Sequence, residues 1–175
     1  MQIRCNIQIG GQTRKVVLVT QENETPELLA LRLASFVLFF DQEPLAEISS
    51  KNPAINNQEF RPDLVALNDA GEIKLWVECG NVTTNKLDKL IRRNRQMRIV
   101  VLKENQREAE NLRKFLKKNH INDSDRVEIW YFPDDNFKAW NEAVGDTVDI
   151  VGENAGKSFN LVMNASAFSF DLGTL

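Results

Sequence analysis

Residues 2–9 alternate along their whole length, with Ile3, Cys5, Ile7 and Ile9 on one face and Gln2, Arg4, Asn6 and Gln8 on the other. That period of two predicts a half-buried β-strand. Gly10-Gly11 supplies a turn and Arg14 to Thr20 a second strand, so the chain opens on a β-hairpin. The pattern then changes. Thr25 suits a helix N-cap, Pro26 the first helical position and Glu27 the positive end of a helix that continues through Phe40. Nearly every face of that helix is apolar, which predicts that it lies against a sheet and is covered on its other side as well.

Residues 41–60 show no period and carry Pro44, Pro53 and several asparagines, the composition of a loop. Pro62 to Leu67 and Glu72 to Cys79 flank Asn68-Asp69-Ala70-Gly71, a second hairpin. Thr83-Thr84-Asn85 offers caps for a basic helix from about Lys86 to Gln96, Ile99 to Leu102 reads as a short strand, and a second basic helix spans about Gln106 to Asn119. Val127 to Phe132 is a strand, Asp134-Asp135 precede a helix through Val144, and Val148–Val151 with Ser158–Met163 form a third hairpin. Residues 165–175 have no clear assignment. This order predicts an α/β domain spanning residues 1–175, with a mixed β-sheet flanked by helices and additional β-hairpins.

Composition adds three points. The most apolar run, Leu28 to Phe40, is shorter than the roughly 20 residues that span a bilayer and contains Arg32. No n-region or h-region opens the chain, so the expected location is cytoplasmic, with no membrane partner. Cys5 and Cys79 fall at strand positions without metal-ligand spacing and read as small core residues. The net charge of -3 is unevenly spread: residues 86–118 carry 12 basic and 4 acidic side chains, against 7 and 11 before them and 3 and 10 after. Such an excess can attract phosphate, so nucleic acid is a candidate partner through segment 86–118, although two helices with solvated basic faces give the same count.

Candidate chemistry concentrates in Arg61-Pro62-Asp63-Leu64 and Lys74-Leu75-Trp76-Val77-Glu78-Cys79-Gly80. If Leu67 pairs with Glu72, Asp63 lies opposite Trp76 and diagonal to Glu78, and the two carboxylates project from one face. Paired carboxylates are the oxygen donors a hard cation such as Mg²⁺ takes. On the following helix Lys86, Lys89 and Arg93 share one face. His120, the only histidine, reads as a helix C-terminal residue, and Trp76, Trp130 and Trp140 as core. No Gly-rich phosphate loop or Ser-His-Asp set is present.

Pro62-Asp63, the hairpin and Glu78 near the end of an apolar strand resemble the first two elements of the PD-(D/E)XK nuclease motif. The motif's lysine position is Gly80, a departure. More widely the chain resembles the YaeQ family, a variant of that restriction-endonuclease-like fold. The resemblance rests on Glu24-Thr25 with Glu27 and Arg32, Pro62-Asp63-Leu64, Leu75-Trp76 with Glu78 and Gly80, Leu87 with Lys89, and Trp130 with Asp134-Asp135. It implies glycine at position 80, Asp63 and Glu78 as ligands of Mg²⁺ or Mn²⁺, Glu27 as a further ligand, with Glu24 as its rival, and Lys89 or Lys86 in place of the displaced lysine. The implied activity is hydrolysis of a nucleic-acid phosphodiester. The alternative is an inactive member of the fold that serves as a binding or regulatory module.

Overall fold

The computed structural model describes residues 1–175 and gathers their strands into two mixed sheets with a helix between them. β1 (Gln2–Ile9) and β2 (Gln12–Val19) form the first hairpin, Gln2 facing Val19. The period of two holds residue by residue in β1: Ile3, Cys5, Ile7 and Ile9 are buried and their neighbours exposed. β7 (Thr147–Ala155), β8 (Ser158–Met163) and β9 (Ser166–Asp171) complete this first sheet in the order β2-β1-β7-β8-β9. Only β1 and β7 run parallel in it. The predicted first and third hairpins are therefore halves of one sheet, and the unassigned C-terminal segment supplies its edge.

The second sheet has the order β10-β6-β5-β4-β3, built from β3 (Leu64–Leu67), β4 (Ile73–Cys79), β5 (Arg98–Lys103), β6 (Val127–Tyr131) and β10 (Gly173–Thr174). β4, β5 and β6 are parallel, and parallel neighbours require crossovers. These are α3 (Thr84–Arg93) and α4 (Gln106–Lys118), capped by the side chains of Thr83 and Asn105. Both cover one face, where Leu87, Leu90, Leu112 and Leu116 join Trp76, Ile99, Val101 and Ile129.

The other face meets α1 (Pro26–Leu38). Thr25 caps this helix, and every residue from Leu29 to Leu38 is buried. α1 touches β3, β4 and β5 on one side and β2 and β7 on the other, as its all-round apolarity predicts. α5 (Asn136–Ala143) packs beside it, and Trp140 Nε1 donates to the Ala30 carbonyl at 2.9 Å. The loop 41–60 contains a single helical turn, α2 (Pro53–Asn56), and bridges to the edge of β3 through Leu45 and Val65. Cys5 and Cys79 are buried free thiols. No helix is long and apolar enough to cross a membrane.

The β3–β4 register differs from the expected one. Asn68 Oδ1 accepts from the amides of Ala70 and Glu72, widening the turn so that Leu67 faces Ile73, and a bulge then shifts Ala66 onto Leu75. Leu64 consequently faces Val77, and the Asp63 amide also bonds to the Val77 carbonyl at 3.1 Å, so Asp63 lies beside Val77 and not opposite Trp76. Two one-residue changes compound to two along β3, and a third irregularity at Asp63 lets its carboxyl turn back onto the Cys79 amide.

Candidate active site

Glu78 lies near the end of β4, on the face covered by α3, and is 3% exposed. One of its oxygens accepts from Trp76 Nε1 at 2.6 Å. Trp76 is two residues earlier on the same strand and therefore on the same face. Lys86, in the first turn of α3, brings its ammonium to 2.7 Å from Oε1 and 2.8 Å from Oε2. The same Nζ also donates to the Arg61 carbonyl at 3.1 Å, so one cation sits on three oxygens. The ordering is local: Gly80 takes the left-handed conformation (φ 67°) that ends β4, and Thr83 caps α3 through the Lys86 amide at 3.1 Å.

Asp63, just before β3, accepts from the Cys79 amide at 2.7 Å. Burial holds its carboxyl above the usual carboxylate range, against the Cys79 hydrogen bond and the charges of Arg32 and Lys86, while Glu24 adds to the rise. Burial likewise pushes Glu78 up to about 7; Lys86 pulls it down, the Asp63 charge pushes it further up, and the hydrogen bonds from Lys86 and Trp76 lower it. Lys86 thus pairs with Glu78 alone, while Asp63 has no ion pair and feels the charges of Arg32 and Lys86 from a distance.

On its other side Asp63 borders a cavity of about 340 Å³, whose wall includes Arg32, Glu47, Ser49 and Arg61. Arg32 is 3% exposed yet reaches the Val19 carbonyl (3.0 Å), the Ala46 carbonyl (3.3 Å), Glu24 (3.3 Å) and Glu47 (3.3 Å). Its Nε alone is buried without a partner.

The residues expected at the site divide. Asp63, Glu78 and Lys86 come together. Lys89 turns instead to Glu59 at 2.6 Å, which also holds Arg93 at 2.9 Å, because one helical turn carries it past the strand end toward the loop before β3. Glu27 does not join the acids; its charge bears on Glu104, beyond Gly80. Glu24 is the acid of that region that stands near Asp63, through Arg32. Sequence reading missed the Trp76 indole as a donor to Glu78 and Lys103 as a buried cation at the end of β5, 5% exposed. The Trp-x-Glu spacing within one strand was the available signal for the first. The basic segment 86–118 is not one free patch: Lys86, Lys89, Arg92, Arg93 and Arg98 are in ion pairs, and Arg113 binds the carbonyls of Ser124, Val127 and Leu175.

The donors around the Lys86 ammonium are all oxygens, the chemistry a hard divalent cation takes, and two carboxylates suffice where water and phosphate complete the shell. Asp63 and Glu78 therefore fit such an ion in donor type. No third His, Cys, Asp or Glu gathers with them.

The whole architecture has solved counterparts. The YaeQ protein from Xanthomonas axonopodis pv. citri superposes with a TM-score of 0.72 at 18% identity, over 99% of this chain and 96% of that one. The YaeQ protein from Pseudomonas syringae gives 0.72 at 13% identity, over 99% and 93%. No curated protein matches the sequence. The family profile described as YaeQ protein matches residues 12–165, and with that the chain belongs to the YaeQ family.

Proposed function

We propose that the chain is a metal-dependent phosphodiester hydrolase acting on nucleic acid, a YaeQ variant of the PD-(D/E)XK nucleases, with Asp63, Glu78 and Lys86 as its centre. The observation that carries this reading is the position of Lys86: the motif lysine is missing at Gly80, and an ammonium from the next helix stands on the Glu78 carboxylate beside Asp63. Asp63 and Glu78 would hold Mg²⁺ or Mn²⁺, which when bound lowers the pKa of a coordinated water and neutralises phosphate charge. Lys86, with its side chain 20% exposed, swings from the carboxylate to the phosphate and stabilises the charge that develops there. Trp76 fixes the Glu78 carboxyl through Nε1, and the Cys79 amide fixes Asp63. Arg95, Arg107, Lys114, Lys117 and Lys118 carry no ion pair and supply the long-range attraction for a polyanion.

The test is cleavage of single- and double-stranded DNA and RNA with Mg²⁺ or Mn²⁺, by the natural protein and by Asp63→Asn and Lys86→Met. Cleavage is expected only in the natural protein, and to disappear with chelator. Equal activity in all three sinks the reading. A second reading, a binding module of the same fold without catalysis, is favoured by the complete engagement of both Glu78 oxygens. It predicts nucleic-acid or protein binding that Asp63→Asn and Lys86→Met leave unchanged.

A further inference from the structure

Lys103 is a buried cation without a counter-ion. None of the chain's ion pairs includes it. Its ammonium, which has three donors, makes one hydrogen bond, to the Gly80 carbonyl at 2.6 Å. An apolar side chain of similar length would avoid the cost of burying the charge, so folding does not call for an amine at this place. Burial draws the lysine pKa below the ordinary amine value, with Glu108 and Glu104 pulling the other way.

Lys103 lines a cavity of about 240 Å³ together with Gly80, whose carbonyl holds its amine, and Asn81, Glu104, Asn105 and Glu108. The cavity stands at the carboxyl ends of the parallel strands β4 and β5, the edge at which open α/β sheets bind ligands. Its wall has no apolar residue, which disfavours a hydrophobic ligand, and its two carboxylates disfavour an anion. What fits is a small, uncharged, polar electrophile. Glu104 is half-buried, and burial with the charges of Glu27 and Glu108 keeps its carboxyl above the usual range. Burial thus shifts the amine downward and the neighbouring carboxyl upward, toward one another, and the two share one small cavity.

We propose that Lys103 is the nucleophilic amine of a second site, separate from the Asp63 centre, which captures a small polar aldehyde or ketone as an imine. Nζ attacks the carbonyl carbon, the C–N bond forms, and the carbonyl π pair moves to oxygen, which takes one proton from the nitrogen. The resulting carbinolamine loses hydroxide with a proton from Glu104, leaving as water, while the nitrogen lone pair closes the C=N bond. Glu104 recovers a proton from nitrogen. The balance is amine plus carbonyl giving imine plus water, with no change of oxidation state.

Glycolaldehyde with cyanoborohydride tests this on the full chain at neutral pH, since the hydride fixes each imine as a secondary amine that peptide mass spectrometry assigns. Lys103 is expected to label several-fold faster than the exposed Lys114 and Lys117, because burial favours its free amine and Glu104 stands beside it in the cavity. Glu104→Gln slows labelling at Lys103 alone, and Lys103→Met removes the fast phase. A lysine buried only to fasten Gly80 labels more slowly than Lys114. That order, equal rates, or no effect of Glu104→Gln overturns the proposal, whether or not Lys103→Met folds.

Discussion

Two buried ionic clusters flank Asp63, and they are built in opposite ways. Arg32, on α1, is surrounded by acceptors: two backbone carbonyls, Glu24 and Glu47, drawn from β2, the turn before α1 and the loop after it. Glu78, on β4, has a single cation, Lys86, while Asp63 nearby has no ion pair, and burial still holds the Glu78 carboxyl near neutral pH. A cluster with more acceptors than its cation needs ties separate segments of chain together. A cluster whose carboxylates lack positive charge holds capacity for another cation or a proton. The first is architecture and the second is the place to look for chemistry.

Substitutions separate the two. Arg32→Met leaves the Ala46 carbonyl unpaired and Glu24 and Glu47 without their cation; with Glu47 exposed to water, it is expected to cost roughly 3 kcal/mol, the lower end for breaking a buried ion pair. Thermal melting reads this as a fall of roughly 10 °C. An unchanged melting temperature would remove Arg32 from the architecture.

The Glu78 cluster shows itself in pH dependence. Its folded pKa of about 7 lies above the ordinary value of 4.5, so folding binds a proton. The stability linked to it is present in full below about 4.5 and is lost as pH rises through about 7. That difference is on the order of 3 kcal/mol between the two plateaus. Urea unfolding across this range, compared between the natural protein and Glu78→Gln, is expected to show the loss only in the former; parallel curves would contradict it.

A smaller effect belongs to Trp76→Phe, which keeps the packing but removes the indole donor from Glu78 and costs about 1–3 kcal/mol. Carbon-13 NMR of the Glu78 carboxyl is expected to show its titration moving to higher pH. Least of all, Lys89→Ala cuts a half-exposed pair with Glu59 and costs under about 1 kcal/mol. Phosphodiesterase activity is expected to survive it and to vanish in Lys86→Met, measured on the same substrate; the reverse would exchange the two lysines.

Local patterning carried most of the fold. The alternation of Ile3, Cys5, Ile7 and Ile9 and the apolar wrap of Leu29–Leu38 each contain their own burial. What stayed hidden was non-local: nothing in residues 2–9 announces that β1 pairs in parallel with β7, nearly the whole chain away, to merge two hairpins into a sheet. The acids were legible because a proline, a turn and a strand end mark Asp63 and Glu78 within one hairpin. Their register was not, since it depends on Asn68 Oδ1 and a bulge beside Leu67. Choosing among Lys86, Lys89 and Glu27 required knowing how α3 leaves β4 and how α1 crosses the sheet, angles that Gly80 and the packing of Leu28 against it decide.

The centre's capacity for a cation is tested most directly by Mn²⁺ titration, followed by calorimetry on the natural protein, Asp63→Asn, Glu78→Gln and Lys86→Met. One ion per chain is expected, with binding lost in both acid variants. Lys86→Met is expected to bind about tenfold more tightly, because it removes a unit charge standing on the Glu78 oxygens and the Arg61 carbonyl. Binding that none of the three substitutions changes would contradict the account.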